Sequence, residues 1–184
     1  CPDLKEVLVT DFTDESARKF REDFLPEARF NKERPVIVWI NSPGGNVDAL
    51  ASMVETIQSV PNIVVTVSIG RANSAGGILL SCGTKGFRYC ASHSRVMVHE
   101  VSTAHSKEKV SEVVVDAHES KRLEEFWLGL LAKNCGIEGG YQELRRMIKD
   151  RDGKIWLNAE EALKFGIVDK IGIPKIKVKF EVED

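Results

Sequence analysis

The chain has 184 residues, which fits one domain with a sizeable core. Hydrophobic residues make up 42% and charged residues 29%, and the formal net charge is -2 with both signs mixed along the chain. This composition is that of a soluble globular protein, and it predicts no nucleic-acid partner and no membrane span. The four cysteines have neither CxxC spacing nor a histidine in ligand register, which predicts free thiols, a reducing cytoplasm and no metal site.

The first part of the chain alternates strand and helix patterns. Residues 5–10 alternate well enough for a strand, and a helix is expected to follow with Asp14 as its N-cap. Residues 36–40 form a continuous apolar run of the kind found in a strand covered on both faces. The run stops at the turn 41–45, which contains a proline and two glycines, and helical periodicity then continues to Pro61.

The middle of the chain repeats this succession. Residues 63–69 predict a second buried strand, which leads into the glycine-rich segment 70–77 and a short apolar helix. Two further short strands are expected at 87–90 and 95–99. The stretch 107–133 carries apolar residues on a broad stripe and is the longest predicted helix.

The C-terminal part is expected to contain a helix over 159–165, with Asn158 as its cap, and a last strand at 175–182. Strands that alternate with helices at this spacing imply right-handed βαβ crossovers. The sequence therefore predicts an α/β fold with a mainly parallel sheet.

Two glycine-rich turns, each between a strand and a helix, are candidate functional sites. The turn 42–45 would present amide donors at a helix N-terminus, where they could hold a phosphate or an oxyanion, although a plain tight turn fits equally well. Ser74 begins the second turn among small neighbours that leave its hydroxyl accessible. This follows the logic of a nucleophile elbow without matching GxSxG, and a helix-capping serine is the alternative.

A serine nucleophile needs a base, and His99 is the best-placed histidine. It ends the predicted strand 95–99, so it should project at the carboxyl edge of the sheet, where Ser74 is also expected. The other three histidines fit less well, because His93 lies in a polar turn, His105 in a polar loop and His118 inside the long helix.

Four segments in this order, at this spacing, resemble the Clp protease proteolytic subunit over residues 7–171. They are INSPGG at 40–45, ANSAG at 72–76, SRVMVH at 94–99, and LNAEEA at 157–162 with GIVD at 166–169. The resemblance implies the crotonase-like (ClpP) fold, an α/β fold of repeated ββα/βαβ units with a protruding handle helix. It implies a single peptidase domain over 1–184, with the handle at about 100–135 and a groove-lining strand near 101–106.

The same resemblance assigns roles by position. It makes Ser74 the nucleophile and His99 the base, and it gives the amides of Gly45 and Ala75 to the oxyanion hole. Apolar residues used by the family to dock a partner unfoldase would correspond to Ile37 and Trp39.

The third triad member departs from the family pattern. Counting back without gaps from Leu157 puts Lys154 at the family's aspartate position. A two-residue turn insertion would place Asp152 there instead, which is the preferred prediction because a buried triad position does not readily accept lysine. Asp150 is the second choice, and a Ser74–Lys154 dyad is a further alternative.

The resemblance therefore predicts a serine endopeptidase that uses Ser74, His99 and Asp152 without a cofactor. The expected assembly is a homo-oligomer of heptameric rings, stacked in pairs around a chamber, that cleaves peptides or unfolded proteins with an AAA+ unfoldase as partner. Two rival functions share the fold: an acyl-CoA enzyme of the crotonase superfamily, and a catalytically inactive ring subunit.

Overall fold

A computed structural model describes residues 6–100 and 110–175, without the side chains of 110–115. The described residues form seven strands and six helices. In chain order these are β1 (Val7–Val9), α1 (Asp14–Phe30), β2 (Val36–Ser42), α2 (Val47–Gln58), β3 (Val64–Asn73), α3 (Ala75–Ser81), β4 (Arg88–Cys90), β5 (Arg95–His99), α4 (Val110–Cys135), α5 (Gly140–Lys149), β6 (Lys154–Leu157), α6 (Ala159–Phe165) and β7 (Lys170–Ile171).

The sheet is parallel apart from one strand. Its main order is β1-β2-β3-β4-β7, and every neighbouring pair along this path is parallel. β5 runs parallel to the end of β3, and β6 pairs with β5 in the antiparallel direction. The α/β prediction with a mainly parallel sheet is confirmed, and the carboxyl ends of β2, β3 and β5 meet at one edge.

Capping side chains explain where the helices begin. α1 begins after Thr13, whose hydroxyl accepts from the amide of Ser16 while the Ser16 hydroxyl accepts from the amide of Thr13. The prediction of Asp14 as the N-cap is therefore wrong by one residue, because Thr13 forms this reciprocal box and Asp14 already has helical geometry. Asn158 caps α6 in the same reciprocal way with Glu161, as predicted for Asn158.

Two apolar clusters lie on opposite sides of the sheet. The main core joins α1, α2, α3 and the second half of α4 to one face of the sheet, with Leu50, Leu79 and Leu131 fully buried. A smaller cluster on the other face contains buried Ile37, Val65 and Val67, against which partly buried Trp39, Ile69, Phe87 and Tyr89 pack. No helix residue belongs to this second cluster.

Helix α4 changes character along its length. From Trp127 to Ala132 it contributes buried residues to the main core, whereas most side chains between residues 116 and 122 are exposed. Within the described residues, no helix is both long enough and apolar enough to cross a membrane.

The predicted strand at 95–99 and the predicted helix at 159–165 coincide with β5 and α6. The sequence analysis did not anticipate α5, and it did not anticipate β6 as a strand. The strand expected near 101–106, and all of the strand expected at 175–182 except its first residue, lie outside the described residues.

A buried ion pair fastens the C-terminal part of the chain to the sheet. Arg88 is 1% exposed, and its guanidinium donates two hydrogen bonds, of 2.6 and 2.8 Å, to the carboxylate of Asp169. Partial burial alone would raise the pKa of Asp169, but hydrogen bonds from the Arg88 guanidinium and the Gly86 amide, with the charge of Arg88, lower it to about 2. Folding therefore stabilises the ionised form of the Asp169 carboxylate.

We expect Asp169→Asn to lower the free energy of unfolding at neutral pH by about 2 kcal/mol, since it leaves Arg88 without its anionic partner. The pKa of Asp169 falls from 3.8 to about 2 on folding, so its contribution is present above the ordinary value and disappears as pH falls through the folded value. Urea unfolding at a series of pH values should show the two proteins converging towards acid. Glu22→Gln, which removes an exposed ion pair with Arg18, is the control; an equally small effect at Asp169 would contradict the prediction.

Candidate active site

Ser74 occupies a strained turn between β3 and α3. Its backbone has φ 54° and ψ -119°, in the region that side chains other than glycine rarely adopt. Its amide donates to the carbonyl of Met97 on β5, at 2.8 Å, which ties the turn to the neighbouring strand. Although Ser74 stands at the N-cap position of α3, its side chain makes no capping hydrogen bond. The hydroxyl is therefore free of the capping role that was the alternative reading of this residue.

The turn after β2 crowds against the turn that carries Ser74. At Gly44, where φ is 102°, an added Cβ would lie 2.7 Å from Cβ of Ser74 and 3.0 Å from the carbonyl oxygen of Asn73. Only glycine combines this backbone conformation with this close approach. The Ser42 hydroxyl accepts from the Gly44 amide at 3.1 Å and helps to hold the turn in place.

The structure brings Ser74 and His99 together. The distance between Ser74 Oγ and His99 Nε2 is 2.8 Å, within the range of a good hydrogen bond, although the residues are 25 apart in sequence. The backbone explains this proximity, because β5 pairs with the end of β3 and His99 follows Met97 by two residues. The other two described histidines, His93 and His118, are exposed.

A small, partly enclosed cleft of about 70 Å³ surrounds this pair. Gly45 and Ala75 lie in its wall beside Ser74 and His99. Ala75 is the first residue of α3, so its amide has no acceptor within the helix and is available to an anion. The rest of the wall is apolar and comes from α2, α3, β5 and α4: Val47, Leu50, Ile78, Val98, Trp127 and Leu128.

The surroundings of His99 favour the neutral imidazole. Burial is the main cause that lowers its pKa from the ordinary value, and the positive charge of Lys154 lowers it further. An imidazole that stays neutral keeps a lone pair available for a proton, which a general base requires.

The candidates for the third triad residue differ from Ser74 and His99 in their surroundings. Lys154 is the first residue of β6 and pairs directly with His99. Asp152 lies two residues earlier in an exposed turn that ends α5, with φ 55° and its amide bonded to the carbonyl of Lys149. Asp150 is exposed and lies 3.4 Å from Arg146.

Among the described residues, Ser74 is the one side chain that shares a hydrogen bond with His99, and neither aspartate forms one with its ring. The role of Asp152 as the triad acid therefore stays a prediction from the resemblance. No hydrogen bond in the described structure supports that role, since Asp152 is exposed in the turn that leads from α5 into β6. Lys154 is exposed, and no bond joins it to Ser74 in the described structure, so the Ser–Lys dyad also lacks a contact in its support.

Sequence reasoning missed a polar cluster next to the site. Glu124 on α4 is 8% exposed and accepts from the Arg145 guanidinium at 2.9 Å and from the Tyr141 hydroxyl at 2.8 Å. The same Arg145 nitrogen lies 3.6 Å from the carboxylate of Glu100, the residue after His99. The sequence analysis did not predict α5, the helix that carries Tyr141 and Arg145. It therefore could not place these two residues beside Glu124.

Cys82, Cys90 and Cys135 are free thiols and are buried or half-buried, as the sequence predicts. Burial raises the pKa of the Cys82 thiol to about 11 and that of Cys135 to about 12, so both are poor nucleophiles at neutral pH. In the described parts of the chain, no cluster of three His, Cys, Asp or Glu side chains could hold a metal ion.

A serine in a strained strand-to-helix turn, hydrogen-bonded to a histidine at the carboxyl edge of a parallel sheet, defines the class of the serine hydrolases. The sequence profile of the Clp protease family matches residues 5–175. The chain belongs to the Clp protease family and is a serine-type peptidase.

Individual relatives agree with the family match. ATP-dependent Clp protease proteolytic subunit 3 of Synechococcus sp. (strain CC9902) is 36% identical over 141 residues, which are 77% of this chain and 68% of the relative. ATP-dependent Clp protease proteolytic subunit 2 of Prochlorococcus marinus (strain MIT 9312) is 35% identical over 141 residues, which are 77% of this chain and 67% of the relative.

The resemblance makes Asp152 the triad acid, whereas its exposure and the lack of a described hydrogen bond to His99 lead us to expect that Asp152→Asn leaves the rate at which a fluorophosphonate labels Ser74 nearly unchanged. Asp14→Asn, which removes an exposed aspartate at the start of α1, is the control. Intact mass against time gives the rate constant for each protein. A loss in Asp152→Asn approaching the ~10⁴-fold typical of a triad aspartate would instead establish Asp152 as the acid.

Proposed function

We propose that this subunit hydrolyses peptide bonds by covalent acyl transfer, with Ser74 as nucleophile and His99 as general base. The observation that carries the proposal is the 2.8 Å contact between Ser74 Oγ and His99 Nε2 in a cleft lined by Gly45 and Ala75. The chain's membership of a serine peptidase family supplies the reaction class.

The reaction then follows from the positions of these groups. Nε2 of His99 removes the hydroxyl proton as Ser74 Oγ attacks the peptide carbonyl carbon, and the imidazolium returns that proton to the leaving amine. The amides of Gly45 and Ala75 hold the oxyanion, and losing one such donor typically costs on the order of a hundredfold in rate. Water then hydrolyses the acyl-serine with His99 again as the base, and no step uses a cofactor.

We further propose that the chain works inside a homo-oligomeric ring chamber, on peptides or unfolded proteins. The family resemblance supports this, and so does the outer surface of the C-terminal part. Four large apolar side chains between β6 and the end of the described chain are 40 to 58% exposed: Trp156, Leu163, Ile171 and Ile173. Contacts between subunits would cover such side chains.

An unfoldase is the partner that we propose for the second face of the sheet. The strand register places Leu8, Trp39, Val67 and Tyr89 in one row across four neighbouring strands. The indole nitrogen of Trp39 is buried and has no hydrogen-bond partner within the described structure. An apolar segment of a partner would cover the exposed Leu8 and the half-buried rings of Trp39 and Tyr89 in this row.

We expect wild type to react with a fluorophosphonate and to cleave a fluorogenic peptide, and we expect both activities to be lost in Ser74→Ala and in His99→Ala. His93→Ala is the matched control, since it removes an exposed histidine from the same region. Intact mass should be measured separately on each oligomeric state resolved by size exclusion with light scattering. If wild type stays unlabelled in every state, the subunit is an inactive ring component and the proposal fails.

We expect Trp39→Ala to weaken unfoldase-driven degradation of a folded protein relative to hydrolysis of a small peptide. The ratio of the two rates should fall at least about tenfold, because a buried tryptophan at an interface commonly contributes 2 kcal/mol or more. Phe30→Ala, which removes a 68% exposed aromatic residue at the end of α1, is the control. A ratio that stays at the wild-type value would exclude docking at Trp39.

A further inference from the structure

His99 and Lys154 are direct cross-strand neighbours. His99 ends β5, Lys154 begins β6, and the antiparallel register pairs their Cα atoms. Residues that lie opposite one another project from the same face of a sheet, with Cβ atoms ~5 Å apart. The lysine side chain therefore starts beside the imidazole.

The position matters because Ser74 already occupies Nε2 of His99. In a complete triad a carboxylate accepts a hydrogen bond from the other ring nitrogen, Nδ1, and stabilises the imidazolium. An ammonium group has three donors and no acceptor, so Lys154 cannot accept that bond. It can act on His99 only through its charge.

The other charged groups around His99 leave that charge uncompensated. Arg145 lies 2.9 Å from Glu124 and 3.6 Å from Glu100, so both carboxylates have a cationic neighbour. Among the described residues Lys154 makes no ion pair. Titratable residues on the elements packed around His99 include Arg71 on β3, Arg95 on β5, Glu124 on α4, Tyr141 and Arg145 on α5 and Lys154 on β6, with Glu100 directly after β5 and Asp152 in the turn after α5.

We propose that Lys154 is a positioning residue that stands beside His99 in place of a triad acid and opposes the formation of the imidazolium. This inference rests on the proposed role of His99 as the base for Ser74. Burial and then the charge of Lys154 lower the pKa of His99, in agreement with the geometry. Neutral His99 persists to lower pH as a result, but the charged ring that forms during the reaction lacks anionic support.

The test compares three replacements of Lys154 by the pH dependence of fluorophosphonate labelling. Lys154→Met keeps the length and removes the charge, so the acid limb of the profile should move to higher pH. Lys154→Asp should move the acid limb to still higher pH. At pH values above that limb it should raise the labelling rate constant at least about tenfold, because a carboxylate beside His99 would stabilise the imidazolium. Lys154→Arg should keep the wild-type limb.

Lys32→Met is the matched control, because it removes an exposed lysine just before β2, at the opposite edge of the sheet. Its profile should coincide with that of wild type. Since Lys154 is itself exposed, its replacements should fold, and the dispersion of their NMR spectra verifies this.

An NMR titration of the His99 ring separates this inference from the proposed function. The chain has four histidines, so selective labelling gives four signals, and the one missing from His99→Ala is assigned to His99. If Lys154→Met leaves both the titration and the acid limb at their wild-type positions, the inference is overturned. If the titration moves but wild type is never labelled, the electrostatic effect of Lys154 stands and the peptidase mechanism fails.

Discussion

The division of strand β3 is the constraint on which the site depends. Its first half pairs with β2 and β4, and residues 71–73 pair with β5, with Ala72 also opposite Ser42 of β2. Gly70, with φ 75°, marks the division, and a Cβ there would lie 2.9 Å from the Asn41 side chain. Because β5 joins only at the end of β3, the strand that carries His99 is aligned with the turn that carries Ser74.

Backbone hydrogen bonds therefore fix the geometry before any side chain contributes. The amide of Ser74 reaches the carbonyl of Met97, which sets the distance from the turn to β5. Gly44 closes in from β2, so three strand ends converge within a few ångströms. The surrounding sheet holds Ser74 in its strained backbone conformation. Strained residues persist in proteins only where the neighbouring structure fixes them in this way.

The parts of this site that could be predicted from sequence are those fixed by local patterns. Apolar runs that stop at glycine-rich turns identify strands ending at a common edge, so Ser74 and His99 could be paired without coordinates. Asn158 and Glu161 likewise fix the start of α6 by a local rule. The third position could not be reached in this way, because no local signal shows whether residues are inserted before Leu157. The register of β6 against β5 depends on long-range pairing, and it places Lys154, not Asp152, opposite His99.

The polar cluster of Glu124, Tyr141 and Arg145 next to the site could not be predicted for a similar reason. Arg145 and Tyr141 meet Glu124 only because α5 packs against α4, and α5 has glycine at its start and a polar exposed face. Its short length makes its helical pattern weak in the sequence. Burying Glu124 costs desolvation, which the two hydrogen bonds and the cation offset.

The arrangement of charge in this region bears directly on catalysis. Arg145 donates to Glu124 and lies 3.6 Å from Glu100, whereas Lys154, opposite His99, makes no ion pair among the described residues. A base with a low pKa is available over a wider pH range, but each proton that it accepts is held less favourably. In the mechanism that we propose, His99 would therefore be a weaker base that is available over a wider pH range, and the transition state would depend more on the amides of Gly45 and Ala75.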